Sequence, residues 1–313
     1  YHFPYSYILT QHNLILGLGN LDLGFRTPSS LFYLNSIFYF PFTKFYMFMM
    51  PSILILGFSN SIIYEKILNN VKINKINYIT YFALLTLIFI NIFFYRISEH
   101  GTDKSAQILI FLLIIEILVF LSFLKLNTFS LSKIYLLIGL IVSLKAFYVL
   151  YSIFIIILVF HVLNKKKFYS GIVFFLKNFY FIPLLIFFCL IISSYFFSTG
   201  CLVYPVSFTC FENFSWSVSK LEVIELNNWY ELWSKAGAGP DYRIDKPIEY
   251  ISNFNWLGNW IDKYFFNKVS DFLLGLATML IVVNLFMFSS KKKEIIFPKV
   301  KILIIFLLIL FFE

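Results

Sequence analysis

Residues 78–124 read YITYFALLTLIFINIFFY (78–95), RISEHGTDKSAQ (96–107) and ILIFLLIIEILVFLSFL (108–124). The two flanking pieces are almost wholly apolar, and each approaches the roughly 18 to 20 residues a helix needs to cross about 30 Å of hydrocarbon. The twelve residues between them carry Arg96, Glu99, His100, Asp103 and Lys104. Two membrane-length apolar runs joined by a short charged connection predict two spans, with a polar loop held close to the membrane surface.

The same pattern extends in both directions. Apolar residues make up 60% of the chain and charged residues only 13%, about half the charge of an ordinary soluble domain. This excludes a soluble globular class and predicts an all-α polytopic membrane protein. A net charge of +9 raises the question of nucleic acid, and its distribution answers against it. The lysines lie in short clusters between apolar runs: Lys66, Lys72 and Lys75; Lys125 and Lys133; Lys165, Lys166, Lys167 and Lys177; then Lys291, Lys292, Lys293, Lys299 and Lys301. That is the positive-inside distribution of a membrane protein, and it places these connections in the cytoplasm and the alternate ones outside.

The predicted spans are 45–63, 78–96, 106–124, 134–144, 147–163, 178–197, 272–289 and 300–313. Both flanks of 134–163 are lysine-rich, so either two short helices turn at Lys145 or one long helix buries it. The resulting organisation is a first extracytoplasmic loop over 1–44, a transmembrane bundle of about six spans over 45–197, an extracytoplasmic helical insertion over 198–271, and further spans over 272–313, the last of them truncated. With no methionine at Tyr1 and an apolar run still open at Glu313, the sequence reads as an internal fragment.

In the insertion, Ser219-Lys-Leu-Glu222 has the form of a capping box, and Leu221, Ile224, Trp229, Leu232 and Trp233 fall roughly on one helical face. A second amphipathic stretch follows Pro247. Two readings stand: a cap on the outer helix ends, or an interfacial lid through which a lipid-linked substrate reaches the site. Cys201 and Cys210 could close a small disulfide loop if this face is oxidising. Nothing has zinc-ligand spacing, so a metal site stays unknown. Asn213-Phe-Ser215 is a formal glycosylation sequon.

Chemistry gathers on the outer side. A carboxylate from Glu99 or Asp103, with His100, could orient or deprotonate a hydroxyl or hold a divalent cation. Arg96 could grip a phosphate through its forked donors, and Lys145 could offer it a point charge. The first loop adds His2, His12 and Arg26; for the lone histidines a structural role is the plainer reading. Gly17-Leu-Gly19 lacks the third glycine and the strand–helix setting of a dinucleotide loop, so it reads as a turn. Glu116 interrupts an apolar span, and a buried ionisable group is a functional candidate because its burial is costly; bridging two helices is the alternative.

The segment YHFPYSYILTQHNLILGLGNLDLGFRTPSSLFYLNS (1–36) resembles the first outer loop of a family of large bacterial membrane proteins. RISEHGTDKSAQILIF (96–111) looks like that family's second outer loop, SLKAFYVLYS (143–152) its internal lysine motif, and GCLVYP (200–205) with SWSV (215–218) the opening of its outer domain. These proteins are similar to GT-C-type glycosyltransferases. The resemblance implies a GT-C-like helical bundle in the bacterial inner membrane with its active face outside. It implies a polyprenyl-phosphate-linked sugar as donor and a glycan or lipid as acceptor. It also implies one acid just ahead of Tyr1 and a second matching Asp103. On this reading Asp103, Glu99, His100 and His2 shape the catalytic side, while Arg96, Lys145 and Arg26 meet the lipid phosphate. A transporter or flippase of a lipid-linked glycan is the rival, and a non-catalytic membrane subunit a third.

Overall fold

The computed structural model describes residues 2–73, 77–94, 97, 102–122, 127–163, 168–239 and 241–288. Among them the regular structure is helical, interrupted only by isolated β-bridges. The chain divides into two compact units: Tyr1–Leu14, Pro28–Ile192 and Met287–Glu313 form one, and Ile15–Thr27 with Ser193–Phe286 the other.

The first unit is built from α1 (His2–Gln11), α2 (Ser30–Ile37), α3 (Met50–Lys72), α4 (Tyr78–Phe93), α5 (Thr102–Ser122), α6 (Thr128–Leu144), α7 (Ile153–Leu163), α8 (Phe168–Leu176) and most of α9 (Phe181–Thr199). Four segments are long and apolar enough to cross a membrane: Phe45–Lys72, Thr102–Ser122, Ala146–Leu163 and Phe181–Thr199. Their burial separates their roles. The apolar window of α5 is 78% buried, whereas those of the other three are 22% to 28% buried. A helix apolar on every side belongs in the interior, and α5 is therefore the core of this unit, packed by α3, α4, α6 and α7. The peripheral helices keep large apolar side chains such as Phe58, Phe160 and Ile186 on the outside.

Polar ties set the packing around that core. Asn60 and Asn91 exchange amide hydrogen bonds between α3 and α4, and Asn70 donates to Thr80 Oγ1 at 2.8 Å. Three lysines expected in connections, Lys66, Lys72 and Lys133, lie in helices. Lys66 sits six residues before the end of α3, and Lys133 is one turn into α6, with its Nζ 4.8 Å from the Phe129 ring. Both helices run past the apolar stretches that mark them in sequence because α3 and α6 have partners there. Asn127 also caps α6, accepting from the amides of Phe129 and Ser130.

The region 134–163 is not one long helix. The chain leaves helical geometry at Lys145 (φ −151°, ψ 116°) and runs through a 3-10 segment, Ala146–Ser152, before α7. No proline or glycine causes the break. Ser29 Oγ donates to the Leu144 carbonyl, one of the acceptors a helix end leaves open, and the buried rings of Tyr148 and Tyr151 carry the 3-10 segment back against α6.

The second unit holds the end of α9, α10 (Lys220–Ser234), α11 (Pro247–Ile251), α12 (Leu257–Trp260), a π-helical stretch over Ile261–Val269, and α13 (Ser270–Phe288). The turn expected at Gly17-Leu-Gly19 is a 3-10 turn docked by hydrogen bonds from Gly17 N to the Phe197 carbonyl and from Asn20 Nδ2 to the Trp216 carbonyl. Gly17 has φ +71°, and a Cβ on it would lie 2.7 Å from that of Trp216, so both the conformation and the approach require glycine.

Cys201 and Cys210 are joined by a disulfide that closes the loop following α9. Cross-linking so short a loop removes denatured-state entropy worth about 2–3 kcal/mol. The double variant C201A/C210A is expected to lose that much stability. Urea unfolding followed by tryptophan fluorescence checks it, since Trp216, Trp229, Trp233, Trp256 and Trp260 all belong to this unit.

Candidate functional site

Asp103 and Lys145 lie 42 residues apart in sequence, and the fold brings them together. Lys145 Nζ donates to Asp103 Oδ1 at the junction of α5 and α6. Asp103 occupies the first turn of α5 and Lys145 immediately follows the last turn of α6. Each charge therefore sits at the helix end whose dipole favours it. Their side chains are 47% and 41% exposed, so the pair can open to a ligand without breaking a dry core. The Tyr148 ring lies 5.8 Å from Lys145 Nζ.

The start of α2 joins this corner. Ser29 Oγ donates to the Leu144 carbonyl, and the Ser30 and Ser143 hydroxyls are 3.0 Å apart. Three stretches distant in sequence thus meet around one ion pair. Arg96, Glu99 and His100, and the side chain of His2, lie outside the described residues.

Arg26 belongs to the second unit. Its side chain is 5% exposed, and each of its three nitrogens makes a hydrogen bond. Nε donates to the Gly19 carbonyl at 2.8 Å, one Nη to Glu222 and the other to Tyr204 Oη at 3.4 Å. Burial works to lower its pKa, but the hydrogen bonds to Glu222 and Tyr204 outweigh it and the value rises above the ordinary one. Burial likewise raises the pKa of the Tyr204 hydroxyl. Arg26 holds the first-loop turn against α10 through these hydrogen bonds.

This network also revises the predicted capping box. Ser219 accepts from the Glu222 amide, as a cap should, while the Glu222 carboxylate turns to Arg26. The buried residues of α10 are Val223 and Leu232; Leu221, grouped with Leu232 on one helical face in sequence, is 75% exposed.

The family described as a domain of unknown function, DUF8201, matches residues 1–313. The chain belongs to that family. No curated protein and no solved structure shows a match. The DUF8201 match runs through both compact units, so the Asp103–Lys145 corner and the Arg26 network belong to one family domain.

The remaining intramembrane candidate of this DUF8201 chain is also paired. Glu116 Oε1 accepts from Lys66 Nζ at 2.7 Å, with side-chain exposures of 9% and 19%. Glu116 signalled itself by interrupting an apolar span. Lys66 did not, because it sits among the polar residues at the end of α3 and reads there as a loop cation. Glu222 and the serines around Lys145 were missed for a similar reason: their partners lie more than a hundred residues away. Among the described residues no three His, Cys, Asp or Glu side chains gather as a metal site.

Proposed function

We propose that this chain is a membrane glycosyltransferase that takes a sugar from a polyprenyl-phosphate donor on the outer face of a bacterial inner membrane, for surface polysaccharide or glycolipid assembly. The observation that carries this reading is the half-exposed Asp103–Lys145 pair at the ends of two apolar helices. A donor phosphate arriving from the bilayer exchanges with one anion for another: it takes Lys145, and the Asp103 carboxylate is released to orient the acceptor hydroxyl or hold a divalent cation. The acceptor oxygen then attacks the anomeric carbon, and the bond from that carbon to the phosphate oxygen breaks. Polyprenyl phosphate departs with the electron pair, its charge met by Lys145 and Arg96. The Asp103 carboxylate accepts the hydroxyl proton. The family resemblance assigns Glu99, His100 and His2 roles toward the acceptor.

The test is transfer from a radiolabelled polyprenyl-phosphate sugar in membranes carrying the full-length protein. Asp103→Asn is expected to lower transfer about a hundredfold, the scale of a lost orienting or acid–base group. Lys145→Gln should act chiefly on donor KM. Wild-type rates in both variants would overturn the reading. The flippase rival draws on Glu116, but the ion pair with Lys66 satisfies that carboxylate within the bundle, which favours a brace between α3 and α5.

A further inference from the structure

At the far end of α6 from Lys145 lies a cavity of about 650 Å³ between the first turns of α6, α8 and the turn into α9. We infer that it holds the phosphate of an anionic phospholipid in the leaflet opposite the Asp103–Lys145 corner. Its wall is built by Asn178, which is 9% exposed. Asn178 Oδ1 accepts from Ser132 Oγ at 3.2 Å and from the Tyr180 amide at 3.0 Å, and its Nδ2 donates to the Thr128 carbonyl at 3.2 Å. With those groups committed to structure, the charge facing the cavity is Lys177. No Asp or Glu lines the space, and among the described residues no carboxylate pairs with this lysine.

The position selects a lipid. Lys177 stands four residues before α9, a helix long and apolar enough to cross a membrane, so the cavity opens where such a helix meets the headgroup layer. The Tyr169 and Phe179 side chains beside it are 80% and 75% exposed, as rings of an interfacial aromatic belt are. A phosphate here can accept from the Lys177 ammonium and the Thr128 and Tyr169 hydroxyls, while acyl chains run along Val173 and Phe174. Basic pockets between apolar helices on the lysine-rich side of a membrane are suited to this chemistry.

The experiment reconstitutes the full chain into nanodiscs of equal phosphatidylglycerol and phosphatidylcholine and counts retained lipid by native mass spectrometry. The wild type is expected to retain phosphatidylglycerol about fivefold over phosphatidylcholine, and Lys177→Gln to bring the ratio near one. Val173→Phe fills the cavity without changing charge and should have the same effect, which separates the site from general surface charge. Lys220→Gln, in the second unit, should leave the ratio unchanged. Melting curves show whether each variant is folded. Undiminished preference in both Lys177→Gln and Val173→Phe would overturn the proposal. So would displacement of the lipid by millimolar inorganic phosphate, which would assign the cavity to a soluble anion.

Discussion

Lys66→Met is expected to destabilise the helical bundle by about 3–5 kcal/mol, because it strands the Glu116 carboxylate in the interior without its cation. The partners come from α3 and α5, and with exposures of 19% and 9% neither side chain reaches much solvent. Glu116→Leu should cost a similar amount through the stranded ammonium, although a lysine six residues from a helix end can relieve part of it by extending towards the boundary. The double variant K66M/E116L removes both charges and keeps the volume. It should recover most of the loss, since a buried ion pair is often no more stabilising than apolar side chains of the same size. Unfolding in mixed micelles with increasing sodium dodecyl sulfate measures all three. If the double variant proved as unstable as the single ones, the pair would be acting through something other than mutual neutralisation.

The Arg26 network carries the second large effect, and its direction follows from unequal burial. The side chain of Arg26 is 5% exposed and that of Glu222 48% exposed. Glu222→Ala leaves a guanidinium inside the second unit without its counter-charge and is expected to cost about 3 kcal/mol. Arg26→Met leaves a carboxylate that water can reach, plus an open acceptor at the Gly19 carbonyl, and should cost about 1–2 kcal/mol. Urea unfolding read by tryptophan fluorescence orders the two variants. The reverse order would mean that the hydrogen bonds from Arg26 to Gly19 and Tyr204 matter more than its charge partner.

The same network engages Arg26, expected in sequence as a phosphate ligand, with Gly19, Tyr204 and Glu222. An arginine in a glycine-rich outer loop reads as an anion grip because guanidinium suits that task. Its counter-charge is Glu222, 196 positions further on. Sequence spacing carries no information about that. The capping box shows the limit from the other side: Ser219 behaves as the local motif requires, and Glu222 obeys a distant partner instead of the near one.

Lys145 illustrates how far local reading could go. A lysine within thirty apolar residues had to end a helix or be buried, and the sequence contains neither proline nor glycine at that point to choose between them. Ser29, Asp103, Tyr148 and Tyr151 decide it, Ser29 by donating to the Leu144 carbonyl, Asp103 by pairing with Lys145 and the two tyrosines by burying their rings at the end of α6.

What this sequence determined by itself is the solvent in which the protein folds. Apolar run length and sparse charge follow from the cost of placing polar groups in hydrocarbon, a local property readable residue by residue. Helical structure follows as well, because a chain in lipid must satisfy its own backbone hydrogen bonds. The tertiary structure alone decided which charges meet: Lys66 with Glu116, Asp103 with Lys145 and Arg26 with Glu222. Those pairings depend on how α3, α5, α6 and α10 pack, and an ion pair is a relation between two places in space that no single stretch of chain contains.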